Sequence, residues 1–380
     1  MEEMHDRLVE KVQTLSDLEI AVLICLVAEQ HCIFETEAQL LDTVESELKL
    51  ILDFTSTKFS QVATHVFGLT WAVLECNEQT TLDHFGCGIL AKNETSDDYF
   101  NSKSEASNFA SLSGSPKRPD RRASKTPNAF TQLDSGRIAN IVIAKNLDRA
   151  NSQVQTQALE LMRGKRNFTR TAVYAAPRPF LLVALNELNT TRLSMHLNDQ
   201  FFMSHKHNFE DSLPNLEEQH QKAQVLDDDQ STSSVIRTPP FVSAKSASLA
   251  ALFSAEDLAT FNARMAKVKI SSEVRAYLHN IVVFMRLHRA VAGGISALST
   301  RHFSTLAYAL APLHGLDYIS PSTVALAARK IYPHRIVIIA PENERSLQWG
   351  SSLEAVKAVL DGVTADDVVE EVLQSVEVPL

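Results

Sequence analysis

The chain has 380 residues, enough for one large domain and a smaller one with linkers between them. Hydrophobic residues at 44% and charged residues at 22% match an ordinary globular protein, and the net charge of −10 argues against a duplex-wrapping surface. No apolar run nears the roughly 20 residues that cross a bilayer, and the acidic amino terminus does not read as a secretory signal, so an intracellular place, cytoplasmic or nuclear, is expected.

In chain order, the first helix signal covers 16–29. Ser16 stands as N-cap, Glu19 completes a capping box, Leu15 and Ile20 are placed for a hydrophobic staple, and Leu18, Ala21, Ile24, Cys25 and Ala28 keep helical spacing. A short β-type run follows at 31–35. Residues 36–52 return to helical period through Leu40, Leu41, Val44, Leu48 and Ile51. A second β-type run covers 71–75 and precedes a polar turn at 77–80. From Lys92 to Arg137 the chain is rich in Ser, Asn, Lys and Asp, with Pro116, Pro119 and Pro127. Such a composition cannot offset its ordering entropy by burial, so a disordered insert is expected.

Order resumes at Ile138. There the run IANIVIA is apolar except for Asn140, as in a strand buried on both faces. A helix over 151–163, an apolar strand over 180–185 and a short helical piece ending at Phe201-Phe202-Met203 come next. Alternating strands and helices imply a parallel sheet with helices on its faces. A second polar stretch, 205–247, holds Asp227-Asp228-Asp229 and Pro239-Pro240 and reads as linker. Beyond it, 255–287, 300–313 and 320–331 are helical in pattern and form an all-α unit. Two tail helices are expected at 352–360 and 365–374, with Thr364 as N-cap of the second.

Cys25, Cys32, Cys76 and Cys87 have neither the number nor the spacing of a disulfide framework or a metal clamp, and read as reduced, half-buried thiols. His31-Cys32 and the pair His205 and His207 lack further ligands at a defined spacing, so no metal site is assigned. Arg121-Arg122-Ala123-Ser124 has the look of a basic kinase-recognition sequence.

The segment RIANIVIAKNLDRANSQVQTQALELM and the later PFLLVALNELNTTRLSMHLNDQFF resemble the MoxR and magnesium-chelatase branch of AAA-plus proteins. In that branch a hydrophobic strand ends in an acidic pair and continues as Asn-Arg-Ala into a Gln-containing helix. Arg149, Ala150, Gln155, Leu159, Glu160 and Met162 match, while Asp148 stands where the branch has Asn. Downstream, Gly315, Asp317, Tyr318, Pro321, Val324, His334 and Arg335 resemble the lid of the same branch, and Val376-Glu377-Val378-Pro379 resembles its ending. The arrangement is similar to fungal magnesium-chelatase-like proteins. The resemblance implies an α/β fold, an AAA-plus-like parallel sheet flanked by helices and followed by a small all-α lid domain. The expected boundaries are 1–205 for a degenerate core with its insert at 92–136, 206–250 for the linker, 251–340 for the lid and 341–380 for a helical tail.

The departures bear on chemistry. A phosphate-binding loop needs glycines, a Lys and a hydroxyl, whereas this chain reads Thr36-Glu37-Ala38-Gln39-Leu40-Leu41-Asp42-Thr43. Aligned on Arg149-Ala150, the branch's Mg²⁺-holding Asp and water-orienting Glu fall on Lys145 and Asn146, and neither side chain can take over that role. Asn186 fits the sensor-one position, though an Asn at a strand end is more often simply a cap. The branch's Asp-Arg-Phe appears as Asp199-Gln200-Phe201. Its Ser-Pro-Arg-Ala appears as Ser296-Ala297-Leu298-Ser299, so the sensor-two position holds Leu298, unless Arg301 substitutes from a turn away. Lys145, Asn146, Asn186, Gln200 and Leu298 are therefore vestigial nucleotide-site positions, and no catalytic or metal-ligating residue is assigned. Glu35, Glu37 and Asp42 are expected to face the phosphate space, with Lys145 offsetting their charge.

The resulting expectation is a catalytically inactive AAA-plus-like scaffold or assembly protein related to the magnesium-chelatase ATPase subunit. No cofactor is expected, ATP and Mg²⁺ entering only if the degenerate site still binds. The expected partners are proteins, in a homo- or hetero-oligomer, with no membrane and no nucleic acid. The alternative is an active magnesium-chelatase-type ATPase with an unusual nucleotide site.

Overall fold

The computed structural model describes residues 2–52, 69–91, 137–169, 172–188, 190, 192–211, 213–217 and 253–379. The expected insert at 92–136, with Ser124 inside it, and the linker from 218 onward lie outside the described residues.

Two helices open the chain, α1 (Glu2–Gln13) and α2 (Asp17–Val27). Ser16 and Glu19 form the expected capping box: the Ser16 Oγ accepts from the Glu19 N–H at 3.4 Å and the Glu19 carboxylate accepts from the Ser16 N–H at 2.7 Å. Every residue of α2 from Leu18 to Val27 except Ile20 is buried, so this helix lies inside the fold rather than on it.

The strands β1 (Cys32–Thr36), β2 (Trp71–Glu75), β3 (Ile141–Lys145), β6 (Leu181–Glu187) and β7 (Met203–His207) make one sheet in the order β2-β3-β6-β1-β7, with every neighbour parallel. A small antiparallel pair, β4 (Arg166–Phe168) and β5 (Val173–Ala175), lies apart from it. Strand side chains alternate between faces. Cys32, Phe34, Ile141, Ile143, Leu181 and Val183 face α2 and α3 (Leu41–Leu52). Ile33, Val142, Ala144, Leu182 and Ala184 face α4 (Leu82–Gly88), α5 (Ser152–Gly164) and α6 (Met195–Gln200).

Strand β7 corrects the boundary expected at 205/206, because Lys206 and His207 belong to the sheet, in register with Glu35 and Thr36. Its sequence, Met-Ser-His-Lys-His, has no apolar alternation. The strand forms because it pairs with β1, and its buried His205 packs edge-on against Phe34 at 5.8 Å.

The carboxyl-terminal part holds α7 (Ala255–Met265), α8 (Ser272–Leu287), α9 (Ala297–Leu313), α10 (Pro321–Ile331), α11 (Leu353–Leu360) and α12 (Ala365–Ser375). The helical pattern over 255–287 is two helices, because Ser271 caps a new one, its Oγ accepting from the Val274 N–H at 3.2 Å. Thr364 caps α12 in a capping box with Asp367, as its position predicts. The unit is not purely helical: β8 (Val291–Gly293) pairs antiparallel with β9 (Val337–Ile338). Gly294, at φ +101°, turns the chain out of β8. A Cβ there would stand 1.9 Å from the Arg335 carbonyl oxygen, so only glycine fits. One apolar core runs from α2 through β1 into Phe303, Leu306, Ala327 and Tyr332, joining lid and sheet. Among the described residues no helix is long and apolar enough to cross a membrane.

Candidate functional site

Strand β1 ends at Thr36 and a 3-10 turn, Ala38–Leu40, leads directly into α3. Glu37 is the single residue between strand and helix. No loop is present there whose amide groups could wrap a phosphate.

Lys145 closes β3. Its position in the alternation puts it on the same face as Ile141 and Ile143, toward α3. Its Nζ donates to the Asp42 carboxylate and lies 3.1 Å from Glu45 Oε2, with its side chain only 11% exposed. Burial by itself would lower the Lys145 pKa; the hydrogen bonds to Asp42 and Glu45 outweigh it and hold the ammonium above its ordinary value. The same bond from Lys145 holds the Asp42 carboxyl below the usual range. A closed ion cluster thus covers the start of α3.

Glu35 does not join it. The residue shares the parity of Ile33, so its side chain leaves the sheet on the face opposite α3, in a cleft with Asn186, Lys206 and Asp366. Burial, with Asp366 adding to it, raises its carboxyl pKa against the lowering effect of Lys206. Glu37 is exposed. Of the three carboxylates expected around the phosphate position, Asp42 alone meets Lys145.

Asn146 adopts a left-handed backbone at φ 54°, and its N–H donates to the Leu185 carbonyl at 2.8 Å. Asn186 sits beside it on β6. The Oδ1 atoms of both, and the Oγ1 of Thr36, are buried without a hydrogen-bond partner. Lys145, Asn146 and Asn186 are therefore gathered at the carboxyl ends of β3 and β6. Gln200 and Leu298 are not with them. They line a recess with His31, Arg163, Lys165 and Arg301, at the opposite end of the strands, where the Arg163 Nε donates to Gln200 Oε1 at 3.0 Å. Arg301 lies in that recess too, so it does not reach the Asn146–Asn186 pair.

Gln155, which marks the helix in the sequence, ties three segments together. Its amide donates to the carbonyls of Ala150 at 3.0 Å and Asp148 at 3.3 Å and accepts from the Ser194 N–H at 2.9 Å. The histidines singled out in the sequence are packing residues. His31 Nδ1 accepts from the Leu182 N–H at 3.0 Å, and burial pushes its pKa down to about 3. His205 Nδ1 lies 3.1 Å from Lys330 Nζ. Among the described residues no group of three or more His, Cys, Asp or Glu could hold a metal. Cys25, Cys32 and Cys76 are free and buried; Cys87 is free and exposed.

Sequence reasoning missed the contact between sheet and lid at Arg335, noted there only as part of the lid pattern. Its side chain is 1% exposed. It donates to the carbonyls of Phe201 and Asp199, meets His302 Nδ1 at 2.7 Å, and lies 3.7 Å from the Asp199 carboxylate. The available signal was an Arg directly before the apolar run Ile336-Val337-Ile338-Ile339, since arginine is rarely buried unless paired.

The strand order and the helical lid define an α/β AAA-plus-like fold. Residues 283–354 match the family model described as the AAA lid domain. A crystal structure of a proposed ATPase from Cytophaga hutchinsonii superposes with a TM-score of 0.56 at 15% identity, covering 100% of this chain and 94% of that one. By sequence, the chain is 28% identical over 116 residues to maintenance of telomere capping protein 2 of Lachancea thermotolerans, which covers 29% of this chain and 41% of that protein. It is 26% identical over 125 residues to the uncharacterized protein YeaC of Bacillus subtilis, covering 33% of this chain and 34% of that protein. The chain thus spans less than half the length of the curated relatives it matches.

Proposed function

We propose that the chain is a catalytically inactive AAA-plus-like scaffold, which joins or caps an assembly of related subunits through its sheet and lid. The observation that carries this reading is the Lys145 ammonium held by Asp42 and Glu45 where a triphosphate and its metal would lie in an active relative. A cation there repels Mg²⁺, and carboxylates at the head of α3 repel phosphate. The junction at Glu37 offers no glycine-built cradle, and Asn146 is an amide that cannot serve as a base. These residues do not fit Mg-ATP. The likeness of the relatives to an ATPase fold is a likeness of fold alone.

A scaffold of this kind associates without nucleotide. Sedimentation velocity of the full chain, with and without Mg-ATP, is the test. Identical species in both conditions agree with the proposal, and an assembly that forms only with Mg-ATP contradicts it.

A further inference from the structure

A cavity of about 500 Å³ opens between α6 and the lid, with no residue of the Lys145 cluster in its lining, and four arginines line it: Arg192, Arg286, Arg335 and Arg345. Asp199 is the one carboxylate among its lining residues. That carboxylate is already engaged, since its Oδ1 accepts from the Ser296 hydroxyl at 2.7 Å and faces the Arg335 Nε at 3.7 Å. The cavity is therefore strongly cationic inside a chain whose net charge is −10.

Arg335 is the informative member. Its Nη2 is bonded to carbonyls and to His302, while its Nε and Nη1 N–H groups are buried with no hydrogen-bond acceptor. Unmet charged donors at such depth are costly unless a ligand supplies acceptors. Burial, which the Asp199 charge only partly offsets, lowers its pKa to about 10. Arg192 and Arg345 are exposed at the rim; each acts on a carboxylate outside the lining of this cavity, Glu35 and Glu344 respectively. Arg286 braces the wall, donating to the Ile295 carbonyl at 3.3 Å and to Thr300 Oγ1 at 3.2 Å, which holds its charge in place without neutralising it.

The backbone adds to this field. Gly293, with open space on its Cβ side, and Gly294 lead into Ser296 and the start of α9, a helix of 17 residues whose positive end opens on the same cavity. We propose that this cavity is an anion site that takes a multiply charged phosphate group of pyrophosphate size. Guanidinium forks match phosphate oxygens in pairs. A single carboxylate would leave most of the charge of four arginines unmatched. The site stands independently of the Lys145 cluster and of the scaffold reading.

Isothermal titration of the full chain with inorganic pyrophosphate tests it, using wild type, Arg192→Ala/Arg345→Ala, the milder Arg345→Gln, and Lys145→Met as the off-site control. The proposal expects salt-sensitive binding to wild type and to Lys145→Met, at least about tenfold weaker in the double variant and intermediate in Arg345→Gln. Competition by ATP identifies the source as a nucleotide's phosphates; no competition identifies a free anion. Absence of pyrophosphate binding to wild type overturns the proposal. So does binding that survives the loss of both rim arginines, or that disappears in Lys145→Met.

Discussion

Lys145 at the end of β3 and Asp42 in the first turn of α3, 103 residues apart in the chain, are joined by a hydrogen-bonded ion pair. The pair forms because strand alternation aims Lys145 at α3 and because no loop separates β1 from that helix. Lys145→Met removes one of the two cations at Glu45, itself 14% exposed, which keeps Lys49 at 2.5 Å, and the expected loss of stability is about 1–2 kcal/mol. Asp42→Asn costs less than about 1 kcal/mol, since that carboxylate is 86% exposed. Urea unfolding of the two variants gives the comparison. The Lys145 pKa is raised in the folded state, so its contribution is complete below the ordinary lysine value and is lost as pH rises through the folded one.

Arg335 and Asp199 hold the lid to α6. Arg335→Ala removes donors to two carbonyls and to His302 and opens a cavity, with an expected cost of about 3–5 kcal/mol. Arg335→Met keeps the volume and recovers part of that loss. Thermal melting of both variants against wild type checks the order.

Gly294 and Gly293 make a paired test of the β8 turn. Gly294→Ala sets a Cβ 1.9 Å from the Arg335 carbonyl oxygen at φ +101°, and the expected cost is about 3 kcal/mol or more. Gly293→Ala meets nothing within 4 Å and stays within about 1 kcal/mol of wild type. Equal effects in chemical denaturation would refute the turn geometry.

Buried histidines make the fold acid-sensitive. Burial lowers His31 and His302 to about 3 and His205 to about 4. These groups are neutral in the folded chain and take up protons on unfolding below about 6.5. Their contribution is therefore full above that pH and is lost progressively as pH falls toward 3, at about 1.4 kcal/mol per pH unit for each proton. His31→Asn keeps an acceptor for the Leu182 N–H and should flatten the slope by about one proton. An unchanged slope in a pH series of unfolding curves would show that His31 is already charged in the native state.

The fold was readable where local signals agree with the tertiary structure. Ser16 and Glu19 mark the start of α2, and Val142 and Ile143 mark a strand buried on both faces. Thr364 caps α12. β7 was not readable, because Ser204, His205 and His207 take their places only through pairing with β1. The Lys145 pair could be anticipated from charge and position, but Glu35 was assigned to it against strand parity. Gln200 and Leu298 were grouped with Asn146 and Asn186, although α6 and α9 carry them to the other end of the strands. The arginine-lined cavity draws on residues from 192 to 345, and no local pattern reports such a convergence.

The central claim is that the β1–α3 junction does not support ATP chemistry. Its most direct test is single-turnover hydrolysis of radiolabelled Mg-ATP by wild type and by Lys145→Asp/Asn146→Glu, which restores an acidic pair at the end of β3. The account predicts background rates in both, because the junction at Glu37 still lacks a phosphate cradle; turnover above background that depends on residues 145 and 146 would contradict it.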